Sequence, residues 1–211
     1  MEIVVGSIVV SAVLAWFVVW WIAKRVHLGW GFWLLWVLAS TVGSITGLFV
    51  GIVGSDVSEV LEAIPPNYGE AGFWAVVGAG VGIFQWLVLR WRVCRSGWWV
   101  LASILGLAVA AVLAMAMGFA GDDPYTPSHI ARVLVVGGAM AGIMQWFVLR
   151  RQVSRAGWWV LASTAGWAVW GQVALGTIFP LGVAIVGGGF VLGGITGLAL
   201  VWLLRQPIPE A

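Results

Sequence analysis

Apolar runs about as long as a membrane is thick, set apart by short charged links, leave this chain few structures to adopt. They cover Ile3 to Ala23, Trp30 to Val53, Phe73 to Arg90, Trp98 to Ala120, Ile130 to Arg150, Trp158 to about Gly176, and about Leu181 to Arg205. Crossing a hydrocarbon core takes about 20 apolar residues per helix, and in lipid the backbone must satisfy its own hydrogen bonds, leaving only helices or closed barrels. The runs are continuous rather than alternating, which selects helices. Composition agrees: 62% of the 211 residues are hydrophobic and 9% charged, against about 45–50% and about 25% in a soluble domain. The expected fold is all-α, a polytopic membrane bundle of seven transmembrane helices.

The runs are related to one another. GIFQWLVLRWRVCRSGWWVLASILG, from Gly82 to Gly106, returns as GIMQWFVLRRQVSRAGWWVLASTAG from Gly142 to Gly166. Both read as a helix closing on Gln-Trp-x-Val-Leu-Arg, a short basic link, and a second helix opening on Gly-Trp-Trp-Val-Leu-Ala-Ser. A constant offset marks a duplicated hairpin. WVLASTVG, from Trp36 to Gly43, makes a divergent third copy, and GITGLALVWLLR places Gly197 and Arg205 as Gly82 and Arg90 are placed. The expected organisation is a single integral membrane domain of three and a half direct hairpins, over about 3–53, 73–120, 130–176 and 181–205.

Two segments need separate treatment. Glu2 precedes the first run and Lys24-Arg25 follow it, the reverse of a signal peptide's charge order, so it reads as a retained helix. Between Ser55 and Ile64, Asp56 and Glu59 form a capping-box pattern ahead of Pro65-Pro66. Val57, Val60, Leu61 and Ile64 recur at helical spacing, predicting a short amphipathic segment over 55–64 that lies on the membrane or closes the bundle end.

Charge sets the orientation. In this threading nine of the ten Lys and Arg residues fall on one side, Arg132 being the exception, and seven of the eight acidic residues fall opposite. The positive-inside rule places the basic hairpins in the cytoplasm, giving an outside N-terminus and a cytoplasmic C-terminus.

Gln85 and Gln145 are the most suggestive polar positions. Each lies five residues, roughly 7.5 Å of rise, before its terminal arginine and shares a face with two glycines, Gly78 and Gly82 or Gly138 and Gly142. Small residues four apart allow close helix approach, and an amide on that face can bond across. Ser103 and Ser163 start their helices at matching depth, so bonds from glutamine to serine or to backbone are expected between neighbouring helices. The same residues, with Trp86, Trp99, Trp146 and Trp159, are the candidate ligand-binding set.

Twelve of the seventeen tryptophans cluster at the arginine-bearing ends. Such clusters form interfacial belts, and Trp86 with Arg90, like Trp146 with Arg150, can stack as ring and cation. The sharper reading is an aromatic pocket for a quinone or carotenoid, extended by Trp167 and Trp170. No particular cofactor is indicated.

Several chemistries lack their residues. The predicted hydrocarbon interior contains no Asp, Glu, Lys or His, the usual marks of proton relays and ion paths, and His27 and His129 fall on opposite sides, so they are not paired ligands of one haem. No HExxH or Ser/His/Asp set is present. No basic stripe points to nucleic acid. Asp122, Asp123 and His129 offer a weak external metal set in a Pro-containing loop, and the lone Cys94 forms no internal disulfide.

The hairpin pattern at Gln85 to Arg90, Gly97 to Ser103, Gln145 to Arg150 and Gly157 to Ser163 resembles a group of uncharacterised small bacterial multi-pass membrane proteins. The likeness spans about Gly82 to Gly166 and implies a repeat-built helical membrane protein without assigning an activity. The expected role is non-catalytic: a binding or scaffold subunit packed against another membrane protein, or the holder of a lipophilic small molecule. A transporter or channel for a small neutral solute or lipid is the alternative. A dry core favours the first, and a water-filled cavity reaching Gln85, Gln145 or Gln172 the second.

Overall fold

A computed structural model describes residues 28–60, 66–93, 96–116, 127–175 and 181–206. They form six helices: α1 (Trp30–Val60), α2 (Pro66–Leu89), α3 (Trp98–Ala116), α4 (Pro127–Leu149), α5 (Trp158–Leu175) and α6 (Leu181–Leu204). No strand occurs among the described residues. Five of the helices contain spans long and apolar enough to cross a membrane; α5, the shortest at 18 residues, is not among the five. The run from Ile3 to Ala23 lies outside the described residues.

The helix starts show where sequence periodicity falls short. Apolar character begins at Phe73 and Ile130, but α2 and α4 open earlier, on Pro66 and Pro127. Proline suits a helix's first position because its fixed φ is helical and its missing N–H would have no partner there. In contrast, no helix begins at residue 55. The first helix continues unbroken through Val60, so residues 55–60, predicted to open a separate amphipathic helix, are instead the last turns of α1. Residues 61–65 lie outside the described set.

Each helix packs against its neighbours in sequence, and α6 packs against α1, closing a ring of six. Lipid gives apolar helices little reason to associate, so packing of small residues and interhelical hydrogen bonds must hold them together. Gly47 and Gly80 show how close the backbones come: a Cβ added to Gly80 would lie 2.6 Å from Gly47 Cα. The glycines predicted on the glutamine faces do the same work, with Gly82 against Ser103 and Gly142 against Ser163.

The links after α2 and α4 use the same bonds. Leu89 carbonyl oxygen accepts from the N–H groups of Arg92 and Val93, and Leu149 carbonyl oxygen from those of Gln152 and Val153. Orphan carbonyls at the helix ends are thus satisfied, and Val93 and Val153 turn inward to join the core. Two apolar clusters fill the ring. One, at the arginine-bearing end, contains Trp36, Trp99, Trp159, Leu89, Leu149 and Leu203. The other, deeper, contains Val77, Leu107, Leu134, Trp167, Trp170 and Leu192. The outer surface is also apolar, with Leu38, Leu105, Val112, Leu161, Phe190 and Leu198 exposed. Exposed apolar area spread over many helices marks a surface made for lipid or for other proteins.

Candidate functional site

The ring is closed at its centre by three indoles. Trp36, Trp99 and Trp159 come from α1, α3 and α5, alternate helices that do not adjoin in the ring, so their rings meet only on its axis. Centroids are 5.9 Å apart for Trp36 and Trp99, 6.0 Å for Trp36 and Trp159, and 5.2 Å for Trp99 and Trp159. The two contacts of Trp36 are edge to face, at 79° and 83°, an arrangement the ring quadrupole favours. All three side chains are at most 1% exposed. Trp36, Trp99 and Trp159, three of the twelve tryptophans read from the sequence as an interfacial belt, are therefore core residues. Their neighbours Trp98 and Trp158 stand outside, 62% and 57% exposed, because successive helical residues point about 100° apart.

A buried indole needs an acceptor for its N–H, and the glutamines provide two. Trp99 Nε1 donates to Gln85 Oε1 at 3.0 Å, and Trp159 Nε1 to Gln145 Oε1 at 2.9 Å. Indole N–H only donates, so each amide must turn its oxygen inward and its NH₂ toward the preceding helix. There Gln85 Nε2 donates to Ser40 Oγ at 3.1 Å and Gln145 Nε2 to Ser103 Oγ at 2.9 Å. Each glutamine therefore ties three consecutive helices together, as its place beside the glycines predicts. Ser163 Oγ donates to Gly138 carbonyl oxygen on α4 at 2.9 Å.

The third indole uses a different partner. Trp36 Nε1 donates to Thr196 Oγ1 on α6 at 3.0 Å, and Thr196 Oγ1 in turn donates to Leu192 carbonyl oxygen at 2.6 Å. By the spacing from Gly197, Leu200 occupies the glutamine position, and Thr196 reaches the indole from one turn away. A second bond, from Trp33 Nε1 to Gly194 carbonyl oxygen at 3.0 Å, reinforces the contact between α1 and α6.

Beneath the indoles Gln85, Gln145, Ser103, Ser163 and Thr196 surround a cavity of about 10 Å³. That is about the room one water needs. It does not admit a quinone or a carotenoid. Trp86 and Trp146 are not part of its lining. They sit half-buried on the flanks, under Arg90 at 5.0 Å and Arg150 at 5.2 Å, as their four-residue spacing predicts. The eight candidate residues thus separate into six on the axis and two outside it. Trp167 and Trp170 pack against each other at 4.8 Å within the deeper cluster, and Gln172 is exposed.

At the opposite end His129 Nε2 lies 2.8 Å from Glu70 Oε1. Again the partners come from alternate helices, α4 and α2, and the imidazole is 2% exposed. Nothing in the spacing announced the pair, since Glu70 belongs to a stretch read as a polar link. Asp122 and Asp123, considered with His129 as metal ligands, lie outside the described residues. Three other participants were missed. Trp36 and Ser40 occupy the places of Trp99 and Ser103 within WVLAST and were legible in that motif, while Thr196 has no counterpart in either full hairpin.

What these features define is a closed, all-helical bundle of membrane type with an indole and amide network on its axis. Comparison with family models, curated proteins and solved structures gave no match.

Proposed function

We propose that the chain is a non-catalytic integral membrane protein of the bacterial inner membrane, serving as a binding or scaffold subunit of a membrane complex. The observation that carries this reading is the closed axis: among the described residues three indoles and two apolar clusters fill the ring around a water-sized cavity. A transport path needs an aqueous cavity, and catalysis needs an accessible site. The apolar outer faces remain for partners, and any lipophilic ligand belongs there rather than in the ring.

The same reading has seven spans in three and a half direct hairpins, with an outside N-terminus and a cytoplasmic C-terminus. Its support is the parallel between Trp99 on Gln85, Trp159 on Gln145 and Trp36 on Thr196. Paired without a covalent link, α6 and α1 take the part of a third hairpin. Arg90, Arg92, Arg150, Arg151, Arg155 and Arg205 share one end, where exposed Trp30, Trp98 and Trp158 stand at belt depth, as the positive-inside rule requires.

Transport of a small neutral solute remains the alternative, because the cavity touches both glutamines. It requires the indoles to part. The test is photo-crosslinking in native membranes from a probe at exposed Phe190 or Leu198, with solute flux measured in proteoliposomes. Discrete protein adducts without flux are expected. Flux that small substitutions at Trp99 and Trp159 accelerate would overturn the scaffold reading in favour of transport.

A further inference from the structure

Between α3 and α4, toward the arginine-bearing end, an open groove of about 680 Å³ lies on the surface. Its walls are Trp98, Leu101 and Leu105 of α3 and Phe147 of α4, and at its mouth stand Arg150 and Arg151. The volume falls within the range of about 300–1,000 Å³ usual for small-molecule sites. From Trp98 to Leu105 is seven residues, roughly 10 Å of rise, or about a third of a hydrocarbon core of about 30 Å. The groove therefore pairs a cationic rim at headgroup depth with an apolar trough along the upper part of an acyl chain.

We propose that this groove is a binding site for an anionic phospholipid, with Arg150 and Arg151 holding the headgroup phosphate and the α3–α4 trough holding the upper acyl chain. The inference rests on the membrane orientation proposed above and is independent of the scaffold role. Charge complementarity selects the occupant. Arginine presents forked N–H donors that match phosphate oxygens, and basic pockets between helices on the cytoplasmic side suit anionic headgroups. Among the described residues no carboxylate competes for them at this end, Glu70 lying at the other. Arg150 stacks over Trp146 at 5.2 Å and Phe147 at 4.8 Å. Stacking uses the face of the guanidinium and leaves its edge for phosphate.

The corresponding seam between α5 and α6 is bridged by a larger aromatic pair. Trp202, placed before Arg205 as Phe147 is before Arg150, meets Trp158 edge to face at 6.4 Å, and Arg155 lies 5.9 Å from its ring. There the two indoles meet across the seam. At the α3–α4 seam Phe147 is smaller, and the trough stays open.

The test uses the full chain in nanodiscs of equimolar phosphatidylglycerol and phosphatidylethanolamine, with retained lipid counted by native mass spectrometry after release into detergent. Two arginines predict about a tenfold or greater preference for the glycerol headgroup. Arg150→Gln with Arg151→Gln should reduce it to parity, and Phe147→Trp, which fills the trough, should lower the number of lipids retained with the helical circular dichroism unchanged. Equal retention of both lipids by the native chain, or a preference that neither variant alters, would overturn the site. Extraction of the chain from native membranes by alkaline carbonate would instead overturn the membrane reading itself.

Discussion

Trp36 Nε1 donates to Thr196 Oγ1 at 3.0 Å and so joins the first described helix to the last. Sequence neighbours are held together by short links as well as by contacts, but α1 and α6 have only their side chains and backbones. Here Gly193 lies against Val37 and Ser40, and Gly197 against Trp33 and Trp36. Close packing brings the backbones together, and the indole bond fixes their register.

That bond should be measurable as a coupling. Interhelical hydrogen bonds in membrane proteins average about 0.6 kcal/mol and reach about 1.7 kcal/mol. In a double-mutant cycle of Trp36→Phe and Thr196→Val, followed by unfolding in mixed micelles, the coupling should be about 1 kcal/mol. Strict additivity would mean that this bond adds nothing to the packing and to the Trp33–Gly194 bond that also hold the seam.

If α6 and α1 stand in for a third hairpin, a glutamine at Leu200 should work once the threonine is gone. Thr196→Ala leaves the Trp36 N–H buried without its acceptor, at a cost of about 1–3 kcal/mol. Adding Leu200→Gln should recover part of that loss by accepting from Trp36 and donating to Ser163, as Gln85 and Gln145 do to Ser40 and Ser103. Thermal unfolding of the single and double variants decides it. A double variant less stable than Thr196→Ala alone would show that the α6 site is not equivalent to the other two.

The six described helices and the glutamine bonds were legible in the sequence because lipid permits little else. A 20-residue apolar run must be a helix there, and a buried amide beside small residues must find a partner. Which face points inward was less accessible. With both faces apolar, periodicity does not mark the core, so Trp98 and Trp99 read alike although one faces outward and the other lies on the axis. Glu70 and His129 were hidden for a related reason: their meeting depends on α2 and α4 both facing the centre, which no local pattern encodes. The seam residue Thr196 lies outside the repeated motif altogether.

Glycine substitutions separate backbone packing from composition. A Cβ on Gly80 meets Gly47 Cα at 2.6 Å, while one on Gly54 meets nothing within 4 Å. Gly80→Val should cost about 1–3 kcal/mol through forced separation of α1 and α2, and Gly54→Val should be near neutral. Equal losses at the two sites in detergent unfolding would argue against the close α1–α2 contact.

Orientation can be read by thiol labelling on a Cys94→Ser background. Arg151 is exposed at the arginine-bearing end and Gly54 at the far end of α1. A membrane-impermeant maleimide added to intact spheroplasts should label Gly54→Cys and leave Arg151→Cys unmodified until the membrane is permeabilised. The reverse pattern would invert the topology.

The Glu70 and His129 contact makes the last prediction, and it turns on which atom is lost. His129 is 2% exposed and the Glu70 side chain 17%, so water does not easily replace a missing partner for the imidazole. Glu70→Ala removes the acceptor and should destabilise by about 1.5–3 kcal/mol, the usual worth of a hydrogen bond to a charged group. Glu70→Gln keeps an amide oxygen at the same reach and should retain much of the stability if the imidazole donates through Nε2. Since α2 and α4 meet here across the ring, the alanine variant should also speed amide hydrogen exchange in the first turns of both helices. Were the two variants to lose stability equally, with exchange altered in α2 alone, the pair would be a local contact rather than a brace across the axis.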